Sequence, residues 1–475
     1  MIEFVFILPI VAGLAALTLP VSMGRILLLI TALLHFQLTI MSWMGKLTPT
    51  FSNFFSASTE GLLILLVTSF IFVWISIYSF SYINETGVEN KPVFNCCMLL
   101  FLGTMSMVTL AEHPIVLWIA VEATTLVSAP LIFVHHSREA LEATWKYILI
   151  CSVGIALALL GCFFITLAMD LGNIDAPLSF NSLNEVATKL DPVWLKAGFI
   201  FVVIGFGTKM GLAPMHTWLP DAHSQAASPA SAMLSGALLN CAFLGIFKVH
   251  VLMTVAGLGD FSSNVLIGFG LLSMLVGAIF IIGQPDYKRM LAYSSIKNMG
   301  VIAFGVGIGG FAMYGAFLHL IHHSLLKSSL FLSAGNVLLA FGTKRVQRIG
   351  GLINHLPKTF VSFFAGFIGI SGLPPFGLFV SEIIIITGAF QSGRYLSIGL
   401  FLFALLLVFA GSGRVFMSMS FGETDAKIQH GEGTLRLLPP YALLVASVVL
   451  CIWMPDVLYQ AIINTIETIG GGIHG

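Results

Sequence analysis

Charge is what this sequence has least of: lysine, arginine, aspartate and glutamate together supply 9% of its 475 residues. Soluble globular domains carry roughly 25%, so a soluble protein is excluded. The 21 basic and 21 acidic residues cancel, which leaves no excess charge to hold nucleic acid or an acidic macromolecule. Cysteine is scarce too. Cys96, Cys97, Cys151, Cys162, Cys241 and Cys451 all lie in apolar runs, with no CxxC pair and no cysteine–proline spacing of the iron–sulfur kind. They read as core filler. With no visible ligand set for iron–sulfur, nickel or haem, the chain is expected to hold no cofactor and no metal and to leave electron transfer to others. Long polar stretches are also missing, since the gaps at 170–192, 342–356 and 421–440 are too short for a domain.

What is there is apolar sequence. Hydrophobic residues make up 57% of the chain, and mean hydropathy is +0.99. Runs of spanning length fall at about 2–20, 23–43, 60–83, 93–110, 114–134, 145–169 and 193–219, then at about 228–253, 262–283, 289–309, 311–341, 358–390, 397–419 and 436–458. The expectation is an all-α polytopic membrane protein of about fourteen transmembrane helices. The first run lacks a basic leader and a small-residue cleavage motif, so it is expected to stay as the first helix. Fourteen spans put both termini on one side. One set of loops then holds about thirteen lysines and arginines, and the other about five, Lys46, Lys189, Lys196, Lys248 and Arg394. The positive-inside rule places the termini away from the cytoplasm.

Two spans are overlong and interrupted, the seventh at Gly211-Leu212-Ala213-Pro214 and the twelfth at Gly372-Leu373-Pro374-Pro375-Phe376-Gly377. Proline removes a donor and glycine loosens the helix, so both should be broken, with freed carbonyls that only protein or a wet cavity can satisfy. Broken helices five spans apart fit two inverted five-helix repeats. The chain divides accordingly into 1–92 (helices 1–3), 93–253 (helices 4–8), 254–419 (helices 9–13) and 420–475 (helix 14 and tail). A plain kink is the alternative for either break taken singly.

An ionisable side chain at mid-bilayer costs about 2.5–3.5 kcal/mol on insertion scales, so each one is a functional candidate. Glu122 lies in the fifth span, Lys209 two residues before the break of the seventh, and Glu382 five residues after the break of the twelfth. A fixed salt bridge pinning helices is the alternative for each. His319, His323 and Lys327 recur every four residues in the eleventh span and share a face, with His322 beside it. Histidine titrates near neutrality and a lysine out of water gives up its proton more readily, so such a stripe can pass protons. Lys297, about two turns into the tenth span, either joins that path or snorkels to the interface. His216, Asp221 and His223 follow the seventh span in what reads as a loop, an entry vestibule or a solvated turn rather than a metal site, since no fourth ligand is evident. His135, His136, Arg138, Glu139, Glu142 and Lys146 read as a solvated turn, and Glu112 with His113 is open to either reading.

The run from Gly207 through Lys209 and Pro214 to His223, followed by Ser228-Pro229-Ala230-Ser231-Ala232, resembles the signature of the proton-pumping antiporter-like subunits. These occur in respiratory complex I, in multisubunit Mrp sodium/proton antiporters and in membrane-bound nickel–iron hydrogenases. Lys288 to Ser295, His319 to Leu332, and Gly372 to Glu382 match as well, so the similarity covers most of the chain. It implies a fourteen-helix subunit in which the helix-5 glutamate, here Glu122, pairs with the helix-7 lysine, here Lys209. A central polar axis then runs through the positions of His319, His323 and Lys327 to Glu382. Glutamate at that last position, together with Ser235 to Cys241, looks most like the component F type of hydrogenase-4. Many members carry a lysine on helix 8 where this chain has Asn240. The link would then rest on water held by Asn240 and Ser235 or on the histidines, with Lys297 and His322 as further possible relays.

The implied partners are other membrane subunits of a hydrogenase or complex I-like assembly, peripheral redox subunits and lipid, in a prokaryotic inner membrane, with no nucleic acid. The rival is a subunit of an Mrp-type Na+(K+)/H+ antiporter without redox coupling. A third reading is a structural subunit with a silent channel. The chain ends soon after the fourteenth span, where distal subunits continue into a long lateral helix.

Overall fold

The computed structural model describes residues 1–86, 91–423 and 428–468. Its spanning helices are α1 (Phe4–Ala16), α2 (Val21–Trp43), α3 (Thr59–Glu85), α4 (Lys91–Leu110), α5 (Pro114–Ile132), α6 (Arg138–Leu171) and α7 (Pro192–Met210 with Trp218–Gln225). The second half of the chain adds α8 (Ser228–Val255), α9 (Gly259–Ile281), α10 (Tyr287–Ile308), α11 (Gly310–Phe341), α12 (Pro357–Ile370 with Gly377–Gln391), α13 (Tyr395–Phe421) and α14 (Thr434–Ile452). Among the described residues 12 helices are long and apolar enough to cross a membrane. The short α1 and the halves of α12 complete the fourteen. A further helix, α15 (Asp456–Glu467), lies beyond α14, where a single span to about 458 was expected.

Several starts follow from capping. Asp191 accepts from the amides of Val193 and Trp194 with Pro192 in the first turn of α7, and Asp286 accepts from Lys288 and Arg289 at α10. Ser137 caps α6 through Ala140, so that helix starts seven residues earlier than its apolar run. His113 accepts from Ile115 at α5. Burial holds its pKa below the ordinary histidine value, which keeps the ring neutral and its lone pair available to the cap.

Polarity sorts the helices into layers. Nearly every side chain of α8, α10 and α11 is buried, which makes these three the centre, whereas α6, α9 and α13 turn apolar residues such as Val153, Phe280 and Leu406 outward as a lipid-facing helix must. Small residues bring the inner helices close. A Cβ on Gly205 of α7 would stand 2.5 Å from Ala158 of α6, and one on Gly300 of α10 would stand 2.6 Å from the Gly270 carbonyl of α9.

Both breaks occur where the sequence puts them, and they share one backbone course. In α7, Gly211 takes φ +83° and a cis Ala213–Pro214 bond follows; in α12, Gly372 takes φ +69° and a cis Pro374–Pro375 bond follows. Only glycine adopts that left-handed conformation without penalty. The groups freed in α7 find partners: the Ala213 amide donates to Ser273 Oγ at 2.9 Å, and the Thr208 carbonyl accepts from the Trp218 indole at 2.8 Å. Broken α7 runs on to Gln225 rather than ending near 219. A π-helical turn, Leu234–Leu238, interrupts α8 as well, which the apolar pattern did not signal.

Candidate functional site

The first charged locus sits where α5, α6 and α7 meet. Lys209 occupies the last turn before the α7 break and is fully buried. Its Nζ donates to Thr125 Oγ1 at 2.8 Å and to Tyr147 OH at 2.6 Å, and lies 4.5 Å from the Tyr147 ring centroid. Glu122 accepts from Ser152 Oγ at 2.7 Å and from Thr125 Oγ1 at 3.3 Å. The expected contact of acid and amine is therefore indirect. Thr125 stands between them, taking a proton from the ammonium side and offering one to the carboxylate, because a hydroxyl both accepts and donates.

The second locus joins α10 and α12. Lys297 Nζ pairs with Glu382 Oε1 at 3.1 Å, with Lys297 fully buried and Glu382 nearly so. Lys297 does not reach for the interface, because its helix is enclosed on all sides. The break of α12 makes the room: a Cβ on Gly372 would collide with Glu382 Oε2, and one on Gly377 with His322 Nε2.

Between the loci the side chains of α8, α10 and α11 interdigitate. His319 bonds Ser381 Oγ through Nδ1 at 2.9 Å and Asn298 Oδ1 through Nε2 at 3.2 Å. Lys327 donates to the Leu291 carbonyl and to Ser294 Oγ. His323 lies between them on α11, fully buried, and neither ring nitrogen meets a protein partner. His319 and Lys327 thus reach across to other helices, and no member of the stripe bonds the next. His322 turns away toward α14, where its Nδ1 meets Ser447 Oγ at 3.0 Å. On α8, Asn240 donates to Ser324 Oγ at 2.7 Å and to the Gly236 carbonyl at 3.1 Å, while Ser235 and Ser295 share a bond of 2.8 Å. The π-turn brings both residues to bear on α10 and α11, where Ser324 adjoins His323 and Ser295 adjoins Ser294.

Charged clusters close both ends of the bundle. At the end bearing the termini, Lys248 lies 3.5 Å from Glu60 and 3.8 Å from Glu112, and Glu112 also accepts from Ser56 Oγ and the Asn181 amide, both at 2.7 Å. Lys248, counted with the basic residues of the loops at this end, lies within α8 and is buried there. At the opposite end Asp221 pairs with Arg289 at 2.6 Å and Lys146 at 3.2 Å, and Glu142 with Lys146 at 2.6 Å. Lys344 donates to the Ser224 carbonyl at 2.8 Å. Burial pulls its pKa below the ordinary lysine value, opposed by Asp286 and Glu139. His216 and His223 are not in a loop. His223 is fully buried in the second half of α7, stacked 4.6 Å from Phe331, while Asp221 is taken up by Arg289 and Lys146, so the three do not converge.

Sequence reasoning missed Thr125, Tyr147, Ser152, Ser294, Asn298, Ser324 and Ser381. Hydroxyls and amides recur throughout the spans, and only the meeting of helices singles these out.

The family described as NADH:quinone oxidoreductase/Mrp antiporter, TM, matches residues 111–408. A hydrogenase-4 component F homolog of Methylacidiphilum infernorum (isolate V4) is 33% identical over 410 residues, covering 83% of this chain and 86% of that protein. Among solved structures, a chain of the membrane-bound sulfane sulfur reductase, an archaeal respiratory membrane complex, superposes with a TM-score of 0.86 at 21% identity, covering 98% of this chain and 97% of that one. A chain of the Mrp complex from Dietzia sp. DQ12-45-1b gives 0.84 at 17% identity, covering 99% and 97%.

Proposed function

Because the chain belongs to the NADH:quinone oxidoreductase/Mrp antiporter transmembrane family, we propose that it is a proton-translocating antiporter-like subunit of a multisubunit membrane complex, driven by redox chemistry in its partners. The observation that carries this reading is the pair of charge loci inside the spans, with their signs exchanged between the halves. In the first half the acid Glu122 is on α5 and the amine Lys209 on α7. Taking 93–253 and 254–419 as the repeats, α10 and α12 are the corresponding helices, and there the amine is Lys297 and the acid Glu382. A charge displaced at one locus therefore favours a compensating displacement at the other.

The energies are commensurate. Moving one charge through 100 mV takes about 2.3 kcal/mol, and parting a buried ion pair costs about 3–5 kcal/mol. When the Glu122–Thr125–Lys209 bridge opens, the amine loses its compensating charge and its hold on the proton weakens. The proton then passes by way of Ser235, Asn240, Lys327, His323 and His319 to the Lys297–Glu382 pair, with His322 at the flank. Asn240 and the unpartnered nitrogens of His323 are polar groups at which water can bridge. Peripheral redox subunits supply the energy, other membrane subunits adjoin the chain, and it sits in a prokaryotic inner membrane with both termini extracytoplasmic.

The test is Lys209→Ala, and separately Glu122→Ala, in the assembled complex reconstituted into vesicles. Proton uptake per turnover should be lost; unchanged uptake at normal turnover would reject the assignment. Sodium- or potassium-dependent proton flux in vesicles without any electron donor would instead favour an Mrp-type antiporter.

A further inference from the structure

At the end bearing the termini a groove opens between α2, α3, α11, α14 and α15. Its deeper part is a cavity of about 290 Å³ whose lining is apolar throughout, including Phe36, Leu66, Phe70, Leu325 and Leu458. Toward the end of the bundle a second cavity, about 460 Å³, is lined by Thr59, Asp456, Gln460 and Asn464 beside Trp43. The two are in register on three separate elements. Leu62 lines the mouth and Leu66 the slot, one turn apart on α3. Trp43 and Phe36 are two turns apart on α2, and Val457 and Leu458 are adjacent on α15. A mouth of mixed polarity, with Thr59, Asp456, Gln460 and Asn464, and an apolar slot thus form one amphiphilic site, running from the rim of the bundle to the depth of the hydrocarbon.

We propose that this groove binds one phospholipid with an amine headgroup, of the phosphatidylethanolamine type, its acyl chain in the slot and its head in the mouth. An apolar slot at membrane depth suits an alkyl chain and nothing polar. The mouth selects the head by charge: among the described residues Asp456, exposed and acidic, is its one ionisable side chain, and no lysine, arginine or histidine lines it. A purely anionic head is repelled there, whereas an ammonium is attracted to Asp456. The phosphate meets the side-chain amides of Gln460 and Asn464 and the hydroxyl of Thr59. Trp43 stands at the level where an indole favours the lipid interface. The helix that closes the groove is held independently of any lipid, through buried Ile462 and Ile466 and the contact of Tyr459 with Tyr314 at 5.8 Å between ring centroids.

The experiment is native mass spectrometry of the full complex extracted in mild detergent, with lipids identified after release. The wild type should retain one phosphatidylethanolamine per copy of this chain after detergent washing. Leu66→Trp, which fills the slot, should lose it. Asp456→Lys, a change on the exposed rim that leaves the core untouched, should shift retention toward phosphatidylglycerol by about fivefold. Equal retention of phosphatidylethanolamine by wild type and Leu66→Trp overturns the proposal, as does no change of headgroup preference in Asp456→Lys. A neighbouring subunit's side chain occupying the slot in a density map of the complex also overturns it.

Discussion

At the scale of single residues, the decisive group is one with no charge. Thr125 is the only side chain hydrogen-bonded to both Lys209 and Glu122 among the described residues, so the communication between acid and amine passes through its hydroxyl. Thr125→Val keeps the shape and removes the bridge. A hydrogen bond to a charged group contributes about 1.5–3 kcal/mol, so proton pumping by the reconstituted complex should slow by roughly tenfold or more, with Thr125→Ser restoring it. A valine variant that pumps at the wild-type rate would remove Thr125 from the path. The second locus separates structure from function. Glu382→Gln alone leaves Lys297 charged, buried and unpaired, which costs about 3–5 kcal/mol and should lower the amount of assembled complex. Adding Lys297→Met should restore assembly without restoring pumping, and pumping by the double variant would make the pair merely a pin. Glu122, Lys209 and Glu382 were legible in the sequence because a charge in an apolar run is conspicuous. Thr125 and Tyr147 were not, because their importance arises only when the faces of α5, α6 and α7 meet.

At the scale of elements, legibility follows the strength of the local backbone signal. Gly-Leu-Ala-Pro and Gly-Leu-Pro-Pro-Phe-Gly announce the breaks of α7 and α12, and both helices part there. The π-turn of α8 has no such signal, since Leu234 to Leu238 would sit equally well in a regular helix. Tertiary contacts account for it. A Cβ on Gly236 would collide with Ser328 Oγ and lie 3.0 Å from Ile71 and 3.1 Å from the Ser324 carbonyl, so the wound-out turn is pressed against α3 and α11. Gly236→Ala should force these helices apart at a cost of about 1–3 kcal/mol, seen as a lower unfolding temperature of the purified complex. Because Ser324 also holds Asn240, pumping should fall along with it; an unshifted unfolding temperature would show that the turn has slack.

At the scale of the whole molecule, the distribution of charge predicts how the bundle lies in its membrane. The Lys248–Glu60–Glu112 cluster at one end is shielded by the loop carrying Ser56 and by the short helix Phe180–Val186. At the other end the basic side chains of Lys146, Arg289 and Lys344 surround Asp221 and the end of α7. Loops of that second end carry most of the chain's lysine and arginine, so they are expected in the cytoplasm, because translocating them against the membrane potential is disfavoured. A cysteine placed at Ser52, in an exposed loop at the end bearing the termini, should therefore react with a membrane-impermeant maleimide in intact cells. One placed at Glu139, exposed at the start of α6, should react only after permeabilisation. Five of the native cysteines are buried and Cys451 is partly so, so the unsubstituted chain gives the background. The reverse labelling pattern would turn the bundle over. The rim of Asp221, Arg289 and Lys344 would then face outward, against the side that its loop charges predict.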